Sequence, residues 1–109
     1  MKVIMVKPFS SAMVENIDGS LDGMQAIVGG LIELYCPFEN DAVGIIVNEE
    51  GKLLGLPQNR AVIIDDKVAD ILCGTFFICG LGEDGEFTDL TEDQIKWLMP
   101  RIGSIAIQC

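Results

Sequence analysis

Short apolar runs, separated by Gly, Pro and acidic clusters, set the pattern of this chain, and most of them read as strands. Val3-Ile4-Met5-Val6 is rich in β-branched residues, is bounded by Lys7-Pro8, and predicts a first strand. Met13 to Ile17 follows across a Pro/Ser turn and is placed to pair with it. The period then changes: Leu21, Met24, Ile27 and Val28 recur at helical spacing, so one stripe faces a core. Ser20 stands at the N-cap position, where its hydroxyl can accept from a first-turn N–H, and Gly29-Gly30 ends the helix. Leu31 to Cys36 returns to a strand, with Leu31, Glu33 and Tyr35 on one face and Ile32, Leu34 and Cys36 on the other. Ala42 to Val47 lacks polar alternation, which predicts a central strand covered on both faces.

Asn48-Glu49-Glu50-Gly51 predicts a hairpin loop, with Gly51 in the left-handed conformation and Lys52 to Leu56 as the return strand. Pro57 ends that strand. Ala61 to Ile64 resumes an extended run and Asp65-Asp66-Lys67 makes a turn; Val68 to Leu72 is compatible with a short strand or a single helical turn. Thr75 to Cys79, between Gly74 and Gly80, has a strong strand pattern, and Gly82 to Glu86 is an acidic loop. Thr91 and Gln94 form a capping-box signature that opens a helix through Ile95, Trp97, Leu98 and Met99, which Pro100 stops. The apolar tail from Ile102 to Ile107 is expected to add a terminal strand or to contact another copy. Together these elements predict the α+β class: one domain over residues 1–109, mostly antiparallel sheet packed with two short helices.

Composition narrows the function classes. A chain of 109 residues has room for one core, and a hydrophobic content of 50% excludes a disordered one. Seven Lys and Arg stand against 17 Asp and Glu with no histidine, a formal charge of −10. Such a surface repels phosphate backbones, so no nucleic-acid partner is expected; a basic protein, or a small anion at a local positive spot, remains compatible. Cys36, Cys73, Cys79 and Cys109 contain no C-x-x-C pair, and without histidine a zinc site would need all four thiolates, so no metal site is expected. The longest apolar span, Ile71 to Leu81, is too short to cross a bilayer, and the N-terminus lacks a secretion pattern, so no membrane partner and a cytoplasmic location are expected.

The chemistry of catalysis is sparse. The usual general base is absent, the serines carry no nucleophile elbow, and there is no phosphate-binding or dinucleotide fingerprint. The acidic loop from Glu83 to Asp93 lacks the calcium ligand order. A non-enzymatic protein with neither catalytic residues nor a cofactor is the expectation. The best candidate for binding is Asn59-Arg60: a guanidinium matches phosphate or carboxylate with a planar fork, and an adjacent amide can read a hydroxyl or a base edge. Lys52 returns near the same end of the predicted hairpin. Equally compatible is Arg60 paired with Glu49, Glu50 or Glu33, stapling the hairpin to the sheet. Glu33 is either that buried partner or the solvent-facing residue of an edge strand, and Gly74-Thr75 could offer backbone N–H groups. The candidate ligand-binding set is Asn59, Arg60, Lys52, Glu33, Gly74 and Thr75.

Three segments carry a resemblance: Val28-Gly29-Gly30-x-Ile32-Glu33, Asn48-Glu49-Glu50-Gly51-Lys52-x-x-Gly55-x-Pro57-x-Asn59-Arg60, and Gly74-Thr75-Phe76-Phe77-Ile78-x-Gly80. From about Lys2 to Trp97 the chain resembles a small domain-of-unknown-function family of Gram-positive bacteria, their phages and conjugative elements. The resemblance implies a mobile-element accessory protein, often encoded near anti-restriction genes, and points to no particular activity. The tail after Pro100 departs from the polar helix expected at that family's end. The resulting expectation is a protein, possible as a homodimer, that sequesters a small anionic, nucleotide-derived host signal. The alternative is an acidic anti-restriction module that inhibits a basic host protein.

Overall fold

The computed structural model describes residues 1–109 and sorts the apolar runs into two sheets. In chain order the elements are β1 (Lys2–Val6), β2 (Met13–Asn16), α1 (Leu21–Val28), β3 (Ile32–Tyr35), β4 (Val43–Asn48) and β5 (Gln58–Ile64). Then follow β6 (Lys67–Cys73), β7 (Phe76–Leu81), β8 (Phe87–Thr88), α2 (Glu92–Leu98), a 3-10 turn (Met99–Arg101) and β9 (Ala106–Gln108). The larger sheet runs β2-β1-β7-β4-β3, with β8 added beside β7, and every pair in it is antiparallel. The smaller sheet is β6-β5-β9, antiparallel on one side of β5 and parallel on the other. The domain is α+β, as its hydrophobic pattern predicts.

The central strands β4 and β7 separate two apolar layers. One face of the large sheet, with Ile4, Val6, Ile45, Phe76 and Ile78, packs against Val62, Leu72 and Ile107 of the small sheet and Leu98 of α2. The opposite face, with Val3, Met5, Ile46, Phe77 and Cys79, packs against Met24 and Val28 of α1. Both helices begin as their sequences require. The Ser20 hydroxyl accepts from Gly23 N–H and Gly29 closes α1 at φ 81°, while Thr91 and Gln94 cap α2 reciprocally. Pro100 does not stop the chain sharply: it sits inside the 3-10 turn that continues α2, where its missing N–H is not needed.

The predicted 48–56 hairpin does not form. β4 already has β3 and β7 on its two edges, so no lane is open beside it for a return strand. Residues Lys52 to Leu56 instead coil through bonds such as Leu54 N–H to Glu50 O, and Gly55, not Gly51, takes the left-handed conformation at φ 69°. Gly51 is needed for another reason: a Cβ there would lie 2.8 Å from the Cys73 carbonyl oxygen. The local hairpin is β5–β6, turned by Asp65 and Asp66 at φ 52° and 63°. Positive φ at both central residues is the turn whose twist suits two strands, and Asp tolerates it better than most residues. Val68 to Leu72 is thereby a strand, and the apolar tail supplies one too.

Candidate functional site

Asn59 and Arg60 sit at an irregularity in β5, where the register with β6 shifts between Gln58 and Arg60. A bulge lets two successive side chains escape strict alternation, and both are buried here. Asn59 Nδ2 donates to Val6 O at 3.0 Å and to Gly74 O at 2.8 Å, joining the start of β5 to the end of β1 in the large sheet and to the link between β6 and β7. Its Oδ1 accepts from Arg60 Nη1 at 2.7 Å. Arg60 Nε donates to Gly103 O and Nη2 to Ser10 O, each at 2.6 Å. Only 2% of Arg60 is exposed, yet the chain's two ion pairs, Lys2–Glu92 and Lys52–Asp70, do not include it. Burial lowers its pKa, but the ordinary value is so high that the guanidinium remains charged at neutral pH. A buried cation is thus held by carbonyl and amide oxygens with no carboxylate counter-charge.

Beside this clasp lies a cleft of about 260 Å³, with Phe9, Gln58, Ser104 and Ile105 around Asn59 and Arg60. Phe9 is 89% exposed and Ile105 79% exposed. The Lys7–Ser10 turn, closed by Ser10 N–H to Lys7 O, holds Phe9 at φ 63°. That is the third turn position after a proline, which normally takes glycine. An aromatic residue held there with its ring in water is a local conflict of the kind that concentrates at binding sites.

The other members of the sequence-derived set lie elsewhere. Lys52 and Glu33 line a separate cleft of about 320 Å³ between β4 and β6. Lys52 Nζ is engaged there by Asp70, whose Oδ1 also accepts from Ile71 N–H at 2.7 Å. Burial alone would raise the Asp70 pKa, but the bonds from Lys52 and Ile71 and the lysine charge outweigh it, and the carboxyl ends below its usual range. The same bond, followed by the Asp70 charge, raises the Lys52 pKa. Glu33 is exposed on β3, the edge strand, and does not meet Arg60; nor do Glu49 and Glu50 pair with it. Gly74, at φ 81°, donates its N–H to Pro57 O at 2.7 Å, so that group is already engaged. Thr75 lines a third trough, beside α1.

Phe9, Ser10, Gly103 and Ser104 were not legible as site residues. Ser10 and Gly103 act through backbone carbonyls, which leave no side-chain signature. Phe9 carries one faint signal: a bulky residue after Pro8 in a turn where glycine would be expected.

A family model described as Domain of unknown function (DUF3846) matches residues 1–103. Neither a curated protein nor a solved structure matches the chain.

Proposed function

Since the chain belongs to this family, whose description assigns no activity, we propose a function from the site: a non-enzymatic protein that binds a small anionic, nucleotide-derived ligand at the Arg60 cleft. The observation that carries the reading is a buried guanidinium without a carboxylate, in a chain that has 17 acidic residues to offer. In a low-dielectric setting an uncompensated charge keeps its field, and an anion arriving from outside would complete the pair. Gln58 and Ser104 add polar groups at the mouth, and the exposed Phe9 ring suits stacking on a planar base. The cleft in one copy is smaller than a typical ligand pocket of about 300–1,000 Å³. A second copy closing over Phe9 and Ile105 would enlarge it, so a homodimer belongs to the proposal. The biological setting that fits is a cytoplasmic phage or mobile-element protein that withdraws a host immune signal.

The test is calorimetric titration of the protein with mononucleotides and with cyclic di- and trinucleotides, repeated with Phe9→Ala. Phe9→Ala changes an exposed ring and leaves the clasp intact, so a loss of affinity of about tenfold or more is expected. If no nucleotide in the panel binds, or Phe9→Ala binds as the native protein does, the reading fails.

A second reading rests on a different observation. Lys2 and Lys52 are paired with carboxylates and Arg60 is buried, which leaves a surface dominated by acids. An acidic module that inhibits a basic host protein would use that surface. It predicts a complex that dissociates as salt rises and is indifferent to nucleotides.

A further inference from the structure

The face of the large sheet that carries α1 is only partly covered. A helix of eight residues is about 12 Å long, while five strands span roughly 19 Å across. α1 packs most on β3 and β4, and Val3 and Met5 of β1 are buried in the same core as Met24 and Val28, so it is the β2 edge of this face, with Met13 exposed, that stays open. There the structure forms a trough of about 460 Å³. Met5, Ile17 and Ile27 give it an apolar lining, and Lys7, Glu15 and Thr75 supply polar groups. The register explains the assembly: Glu15 lies opposite Val3, and Met5 opposite Phe77. Alternation along β1 and towards the start of β7 then directs Lys7 and Thr75 to the same face.

Two opposite charges share this trough without pairing. Glu15 is half-buried on β2, and Lys7 faces the same space, yet neither takes part in an ion pair. Asp18, at the rim, is occupied: its carboxylate accepts from the Ser20 N–H and hydroxyl at 3.0 and 2.9 Å and holds the start of α1. A carboxylate and an ammonium that face one apolar-floored space without meeting are complementary to a molecule carrying both opposite charges. We infer that the trough beside α1 is a second binding site, for a small zwitterion, specifically a free α-amino acid with an aliphatic side chain. Its ammonium bonds Glu15, its carboxylate bonds Lys7 and the Thr75 hydroxyl, and its side chain lies on Met5, Ile17 and Ile27.

The test is a heteronuclear NMR titration of the whole protein with L-leucine, N-acetyl-L-leucine and isoamylamine. The last two each lack one of leucine's charges. The expected result is saturable shifts around Lys7, Glu15, Ile27 and Thr75 with leucine, and binding about tenfold weaker for each analogue. Glu15→Gln should lower leucine affinity by about the same factor and leave N-acetyl-leucine unchanged. Phe9→Ala should leave leucine binding intact, which separates this site from the Arg60 cleft. Leucine without saturable shifts up to about 10 mM, analogues that bind equally well, or an unaffected Glu15→Gln variant would each overturn the assignment.

Discussion

Replacing Asn59 with alanine tests the clasp between the two sheets. The side chain makes three bonds: Nδ2 to Val6 O, Nδ2 to Gly74 O, and Oδ1 from the Arg60 guanidinium. A neutral buried hydrogen bond contributes about 1 kcal/mol net, and one to a charged group about 1.5–3 kcal/mol. Asn59→Ala also leaves a buried arginine donor without its side-chain acceptor, so the expected loss is about 4 kcal/mol. A domain of this length has roughly 5–15 kcal/mol in total, so the variant should fold but unfold at much lower denaturant. Urea denaturation followed by Trp97 fluorescence reads this as a drop in midpoint at unchanged slope. Gln58→Ala, at the exposed neighbouring position, is the control and should stay within about 0.5 kcal/mol of the native protein. If Asn59→Ala loses less than about 1 kcal/mol, the three bonds do not hold the sheets together and the account of the clasp is wrong.

Three further outcomes are expected. A Cβ at Gly80 would meet the Thr88 hydroxyl at 2.5 Å and the Asp89 carbonyl at 2.8 Å, so Gly80→Ala should cost about 1–3 kcal/mol in thermal melting. Burial, followed by the nearby Cys36, pushes the Cys79 thiol from 9.0 up to about 12. The unfolded chain then releases this proton first, so the contribution is fully present below about pH 9 and falls as pH rises towards 12, by about 1.4 kcal/mol per pH unit. Cys79→Ala should flatten that alkaline slope in denaturation measured from pH 8 upwards. Phe9→Asn places a residue that tolerates positive φ in the Lys7–Ser10 turn and should raise stability by about 0.5–1 kcal/mol while weakening nucleotide binding. An unchanged or lowered melting temperature would contradict the conflict inferred at Phe9.

Local chemistry was legible wherever a few neighbouring residues decide the conformation. Ser20 with Gly29 bounds α1, Thr91 with Gln94 opens α2, and the β-branched run at Val3–Val6 and the aromatic-rich run at Phe76–Cys79 are strands. The unbroken burial of β4 followed from its lack of polar alternation. Pairing was not legible, because a strand's partners depend on which edges remain free. Once β3 and β7 occupy both sides of β4, the turn at Asn48–Gly51 cannot close a hairpin, and the chain crosses to a second sheet. That crossing dispersed the candidate residues. Lys52 went to Asp70, Glu33 to an exposed edge, and Asn59 and Arg60 to a buried clasp made largely with carbonyls from residues 6, 10, 74 and 103. Residue type alone marked Arg60 as a group that needs oxygen partners. That those partners, beyond the neighbouring Asn59 amide, are backbone carbonyls drawn from distant loops, with no carboxylate among them, is a property of the tertiary structure, since a carbonyl looks the same at every position of a sequence.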